Sequence, residues 1–438
     1  LLLAWIALPL FSTLVNRTLS GMFSPLSCAA MLLLGAAVGL LSALYPASLA
    51  LRQPAGASLQ GRGAGETAPG LALRRVLSVA QFAAAIGLIA MTLTVSWQTG
   101  HASGADTGFD AAPLLVLNLP EKRAAGSAQA FRAELARLPG VQGVTAMSEA
   151  VGRDGNKMVA LVNRPGREPV PLEAKLVDPE FFQLYRVNAL AGRLFDPAID
   201  GAGSMSVVLN ARAASALGFA SAQAAVGQMY DLQRRIVGIA PDLRYHTLRQ
   251  APEPMAYSIN LDQDVLTVRA SGDVAAARAQ IETLWARHFP NDLLEIVPAG
   301  AVFAENYGED ARLAKILASA SLVATALASF GIYVLSAYSV KRRSREIVMR
   351  KLHGAGRADI GRLMAREFGV LVGIGALAGL PLAWIATERY LSGFSERAPM
   401  GFWPLLCALA CVGVVALAAT ARHTLAAVRI SPALALRE

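Results

Sequence analysis

The chain has 438 residues, of which 54% are hydrophobic and 16% charged, with a formal net charge of +9. Soluble domains carry about 25% charged residues, so this composition points to a membrane protein and excludes a disordered chain. A basic excess can also mean nucleic-acid binding, but the distribution of the charge along the chain assigns it elsewhere.

Six runs contain no Asp, Glu, Lys or Arg: residues 1–16, 18–51, 76–100, 316–340, 368–387 and 398–421. A helix needs about 20 mostly apolar residues to cross a bilayer, and spans are therefore predicted near 1–17, 28–51, 76–98, 314–338, 368–387 and 402–421. Neither a basic segment nor a starting Met precedes the first run, which argues against a secretory signal peptide there. Cys28, Cys407 and Cys411 all lie in apolar runs, and the polar middle of the chain has no cysteine and hence no disulfide.

Residues 52–75 form a polar linker, and 99–312 are too polar to span and long enough for a domain of their own. In that domain strands are predicted at 114–119 and 141–147 around a helix at 128–138. A second such unit has strands at 265–270 and 294–297 around a helix at 274–288, with Ile281, Leu284 and Trp285 on one face. The two units suggest a split ferredoxin-like half. Strands at 174–177, 206–209 and 235–239 then belong to an inserted lobe. Asp178 reads as the N-cap of a short helix carrying Phe181, Phe182 and Tyr185, with Pro179 at its first position.

Loop charge gives the orientation. The segments 52–75 and 339–367 and the tail after 421 together carry 16 basic and 5 acidic residues, a net of +11. Segment 99–312 carries 20 basic and 24 acidic residues, a net of −4. The entire basic excess is thus a positive-inside signal that places the first group in the cytoplasm, and no nucleic-acid partner is expected.

Leu3-Ala4-Trp5-Ile6-Ala7 recurs as Leu382-Ala383-Trp384-Ile385-Ala386. Each copy is followed by another span and an Arg–Pro–Leu exit, Arg52, Pro54 and Leu59 in one and Arg429, Pro432 and Leu436 in the other. The pattern reads as a duplicated module whose first copy lies mostly ahead of Leu1. Applying the repeat offset predicts a natural protein of roughly 800 residues with eight spans.

No G-x-x-x-x-G-K-[ST] loop for phosphate and no G-x-S-x-G elbow occurs. The five histidines have neither i,i+4 pairing with one another nor a Cys at ligand spacing, so neither a metal site, a cofactor nor a catalytic site is predicted. Few charges fall within the predicted spans, whereas an intramembrane solute or proton path usually displays them. Arg17, Lys315, Glu388 and Arg389 lie at span ends, where they can snorkel.

The basic segment 341–367 stands out. With no Gly or Pro to interrupt it, the fourth span is expected to run on as one helix through Lys351, with Glu346 and Arg350 paired at i,i+4. Gly354 and Gly356 then permit a reversal, and 359–368 resumes a helix. Ile347, Met349 and Leu352 cannot all face water, so a short helix docking on a partner is the functional reading. A solvated positive-inside turn is the alternative.

In order along the chain, several motifs resemble the FtsX-like, MacB-like ABC transporter permease family. They are Arg75 with Gln81-Phe82, Gly108-Phe109-Asp110, Asp178-Pro179-Glu180-Phe181-Phe182, Gly192-Arg193, Val237-Gly238-Ile239 with Asp242, Arg345-Glu346-Ile347, Arg350-Lys351, Gly354-Ala355, and Pro432 with Leu436-Arg437. The resemblance implies a multi-pass protein of the bacterial inner membrane: an α-helical bundle, six spans here, with an extracytoplasmic α/β domain. It divides the chain into the last two spans of a first module (1–51), a cytoplasmic linker (52–75), a span (76–98), a MacB-like periplasmic core domain (99–312) and an FtsX-like permease domain (313–438). The resemblance makes 341–367 the coupling element for a separate ATPase dimer, with Glu346, Arg350, Lys351 and Gly354 as its site residues. It implies mechanotransmission, efflux of drug or peptide or lipoprotein handling, with membrane lipid around the spans and a periplasmic adaptor for efflux. Regulation of a cell-wall hydrolase or sensor by an envelope scaffold is the alternative function.

Overall fold

The computed structural model describes residues 2–15, 23–51, 68–120, 125–155, 157–163, 168–231 and 233–429. In chain order its elements are α1 (Leu2–Val15), α2 (Pro25–Leu51), α3 (Ala68–Ser103), β1 (Leu114–Asn118), α4 (Ala125–Leu135), β2 (Val141–Met147), β3 (Val159–Val162), β4 (Val170–Val177), α5 (Phe181–Leu184), β5 (Ala191–Gly192), β6 (Ser206–Asn210), α6 (Ala211–Ala216) and α7 (Ala222–Ala225). There follow β7 (Arg235–Ala240), β8 (Met255–Ile259), β9 (Val265–Ala270), α8 (Val274–His288), β10 (Ile296–Pro298), α9 (Ala299–Glu305), α10 (Gly308–Arg342), α11 (Ser344–Leu352), α12 (Arg357–Leu391) and α13 (Trp403–Arg429). The chain divides into two compact units, one of Leu1–Ser96, Asp310–Arg389 and Pro399–Glu438, the other of Trp97–Glu309 and Tyr390–Ala398.

In the first unit four helices are long and apolar enough to cross a membrane: Ala72–Ser103, Gly308–Arg342, Ala358–Leu391 and Trp403–Leu425. Lipid supplies no hydrophobic drive between helices, so close packing of small residues must hold them. Ala85 and Ala90 of α3, Ala328 of α10, Ala376 of α12 and Ala408 of α13 accordingly lie buried in one cluster. A Cβ at Gly379 of α12 would fall 2.7 Å from the carbonyl oxygen of Ala83, so α12 can approach α3 this closely only with glycine there. Large apolar side chains cover the outer faces instead, Leu322, Phe330, Leu377 and Leu417 among them. Helices apolar all round suit hydrocarbon, not water.

Six spans were expected, and among the described residues four are found. The spans expected at 1–17 and 28–51 fall on α1 and α2, which adjoin residues outside the described ones. Helix α1 supplies 14 residues with Pro9 inside, about 21 Å against the roughly 30 Å of a hydrocarbon core. Helix α2 runs 27 residues without a charge, about 40 Å and long enough for the span expected at 28–51; its apolar part among the fully described residues is Pro25–Leu40. The linker 52–67, Arg17 and the exit residues Arg52, Pro54, Leu59, Pro432 and Leu436 lie outside the described residues.

The second unit is built on one ten-stranded sheet in the order β10-β1-β9-β2-β4-β8-β6-β7-β5, with β3 paired on β4. The β4/β8 and β6/β7 pairs are parallel. Strand β1 reads Leu-Leu-Val-Leu because both its faces are covered. Leu115 and Leu117 pack with Phe131, Leu135, Ile281 and Trp285 of α4 and α8, while Leu114 and Val116 join a cluster with Phe181, Phe182, Tyr185 and Tyr257. Asp273 caps α8 by accepting the Ala275 N–H at 2.9 Å. The strands predicted at 174–177, 206–209 and 235–239 are parts of β4, β6 and β7; β3, β5 and β8 fall where no strand was predicted.

Asp178 does not cap a helix. Helix α5 starts after Glu180, with no side-chain cap, and Pro179 precedes it. The buried Asp178 carboxylate instead accepts the Ala146 N–H at 2.9 Å and a hydrogen bond from the Arg132 guanidinium. Burial raises its pKa, with Arg132 pulling the other way. Joining β2 to α4 satisfies a buried N–H and a guanidinium at once, more than an exposed helix end would gain. Gly238 of β7 explains another motif. A Cβ there would sit 1.9 Å from the Arg193 carbonyl oxygen, so the β5 segment can cross β7 only over a glycine.

Candidate functional site

The predicted coupling element folds as a separate short helix. Helix α10 ends at Arg342, so the expected run-on through Lys351 is interrupted at Arg343, whose backbone (φ −93°, ψ 9°) leaves helical values. The reason is apolar: after the bend Ile347 is fully buried against Ile360 and Val340. At the other end Gly354 adopts φ +91°, its N–H donating to the Lys351 carbonyl at 3.0 Å and the Ala355 N–H to that of Arg350 at 3.0 Å. This left-handed stop is one for which glycine is suited.

The named residues fall on α11 and its cap. Glu346 and Arg350 pair at 2.8 Å, both well exposed, Lys351 is half-buried, and Gly354 ends the helix. Met349 and Leu352 are each 53% exposed, so the open face is a mixed one of Glu346, Met349, Arg350 and Leu352. Ile347 and Val348 anchor the opposite face.

Glu367 of α12, counted in the sequence only as one acidic loop residue, is the electrostatic centre of this end of the unit. It accepts the Ser339 hydroxyl at 2.8 Å and pairs with Arg75 at 3.1 Å and Arg343 at 3.4 Å. Its position directly before a charge-free run was the available signal.

A second cluster lies inside the sheet unit. His246 has Asp154 at 2.9 Å from Nδ1 and Glu173 at 2.8 Å from Nε2. Lys175 pairs with Glu173 at 2.8 Å and Glu149 at 2.5 Å and sits over the Tyr245 ring. Lys157 pairs with Glu253 at 2.5 Å. Burial alone would lower the His246 pKa, but the Glu173 carboxylate overrides it and the net shift is upward. Burial would raise that of Glu173, yet His246 and Lys175 hold it down. An imidazole with a carboxylate at each nitrogen donates to both only when protonated, so geometry also selects the imidazolium. One ligand atom each from Glu173, His246 and Glu253 lie within 4.8 Å of one another. Lysines already occupy both carboxylates, which makes this an ion-pair network in chemical terms. Sequence spacing could not reveal residues so far apart in the chain.

Family models match most of the chain in two pieces. Residues 79–284 match the MacB-like periplasmic core domain, and residues 318–432 the FtsX-like permease C-terminal domain. The chain belongs to the FtsX/MacB-like permeases of ABC transporters. Permeases of this family are transmembrane components rather than enzymes, and the four spans agree with a membrane protein. Among solved structures, the periplasmic region of MacB from Actinobacillus actinomycetemcomitans is 13% identical, with a TM-score of 0.34, covering 46% of this chain and 94% of that one. The extracellular domain of the noncanonic ABC-type transporter YknZ from Gram-positive bacteria is 12% identical, with a TM-score of 0.28, covering 44% and 94%. No curated protein gives a significant match.

Proposed function

We propose that this permease receives the movement of a separate ATPase dimer on α11 and passes it through its spans to the MacB-like domain, acting by mechanotransmission rather than by conducting solute. The carrying observation is α11 itself: a nine-residue helix held by Ile347 and Val348, its other face open and mixed in character. Apolar Met349 and Leu352 between charged Glu346 and Arg350 give a docking face both area and direction. Lys351 adds charge, and Gly354 sets where the chain turns back. In this reading 52–75 and 341–367 face the cytoplasm of a bacterium, the membrane is the inner one, and 99–312 face the periplasm. We read β10-β1-β9-β2 with α4 and α8 as the split ferredoxin-like half of that domain. Efflux of an amphipathic substrate with a periplasmic adaptor, or lipoprotein handling, is the transport this serves.

The test is a Glu346→Ala, Arg350→Ala double variant. Exposed ion pairs contribute about 0.2–1 kcal/mol to stability, so the variant should insert normally. It should lose co-purification with its ATPase and lose transport. Undiminished ATPase binding would move the coupling role away from α11.

A further inference from the structure

Two adjoining cavities occupy the end of the helical unit where the charge-free runs begin. The first, about 570 Å³, has apolar walls of Val76, Val79, Leu371 and Ile374, with Arg75, Arg343, Arg366 and Glu367 also lining it. The second, about 460 Å³, is polar and is lined by Arg75, Arg342, Arg343, Glu346 and Glu367 with Tyr338 and Ser339. They share Arg75, Arg343 and Glu367. Four guanidiniums thus face two carboxylates, a surplus of two positive charges beside an apolar slot.

Arginines at a membrane edge serve orientation by themselves. What distinguishes these four is that Arg75 and Arg343 line both cavities, while Arg342 adds to the polar one and Arg366 to the one with the apolar continuation. Ile374 lies seven residues beyond Glu367 on α12, roughly 10 Å deeper along the helix, so the polar part is shallow and the apolar part deep. A ligand matching both parts is anionic at one end and aliphatic at the other. Cations in this position on the cytoplasmic side meet the anionic lipids of that leaflet.

We infer that these cavities form a binding site for an anionic phospholipid, its phosphate among Arg75, Arg342, Arg343 and Arg366 and one acyl chain along Val76, Val79 and Ile374. The inference rests on the membrane-spanning, positive-inside reading of the chain. Arg343 also begins α11, so the lipid would contact the root of the proposed coupling helix.

Native mass spectrometry of the detergent-purified chain with equal phosphatidylglycerol and phosphatidylethanolamine tests the site. Phosphatidylglycerol should be retained preferentially. An Arg342→Gln, Arg366→Gln variant, which leaves the Arg75–Glu367–Arg343 contacts intact, should weaken that retention roughly 25-fold, from two surface guanidiniums. Ile374→Trp, which fills the slot without altering charge, should also lower it. Equal retention of the two lipids, or retention unchanged in both variants, overturns the site. Displacement by equimolar inorganic phosphate overturns it too, because the recess would then be a plain anion site. None of these results bears on ATPase docking at α11, which is measured by co-purification.

Discussion

Replacing His246 with Gln removes the cation between Asp154 and Glu173 while keeping one hydrogen-bond donor. The side chains of His246 and Glu173 are 3% and 1% exposed, so solvent cannot take over the role. Removing one partner from a buried ion pair costs about 3–5 kcal/mol, and the retained donor argues for about 3. Hydrogen exchange read on β4 and β8 should therefore accelerate roughly 100-fold. The pH dependence has a definite sign. The His246 pKa is raised from its ordinary 6.5, so its stabilisation is complete below that value and is lost as pH rises through the folded one. The Glu173 pKa is lowered from 4.5, so its contribution is present above that value and disappears as pH falls through the folded one. Lys175 and Lys157 also face the cluster, paired with Glu173, Glu149 and Glu253. Protection corrected for intrinsic rates should be greatest between 4.5 and 6.5 and decline above it. Protection that rises from pH 6.5 to 9, or a His246→Gln protein that exchanges like the parent, would refute this account.

Cysteine labelling from the periplasmic side should modify Gly201→Cys and spare Arg362→Cys; the reverse pattern would invert the proposed topology. Gly238→Ala forces a Cβ to 1.9 Å from the Arg193 carbonyl and should destabilise the sheet unit by about 3 kcal/mol, read by thermal unfolding, whereas Gly201→Ala meets open space and should change stability by less than about 0.5 kcal/mol. Gly354→Val, strained at φ +91°, should weaken ATPase co-purification while insertion remains normal; undiminished co-purification would show that the stop after α11 does not set the docking geometry.

The sequence was legible where one physical demand acted alone. Absence of charge over a long run located α3, α10, α12 and α13, because hydrocarbon excludes unpaired ions whatever the tertiary packing. Short, mostly apolar runs inside the polar segment located β1, β2 and β9, and β1 and β9 are buried along nearly their whole length. That signal missed β8, whose Met-Ala-Tyr-Ser-Ile is short and lies between prolines and Asn260, although pairing with β4 and β6 makes it central. Asp178 misled because Asp before Pro is a local helix signal, while the long-range partners Arg132 and Ala146 decide its role. The coupling segment was legible in part. Its charges and glycines marked a turn, but the break at Arg343 arises from Ile347 meeting Ile360, a contact no local pattern encodes. His246, Glu173 and Glu253 come together only through the parallel pairing of β4 and β8 and the loops beside it.

Glu367 gathers Ser339 and Arg343 from α10's end and Arg75 from α3 onto one carboxylate of α12. Three helices thereby share a single notch. Sliding α10 along α12 by one turn, about 5.4 Å, would carry Ser339 out of reach, and a shift of a fraction of a turn would stretch its contact without offering a substitute oxygen. The relative positions of these three helix ends are thus tied to one side chain. In the coupling proposed above, a stroke entering from α11 would meet this three-helix junction first.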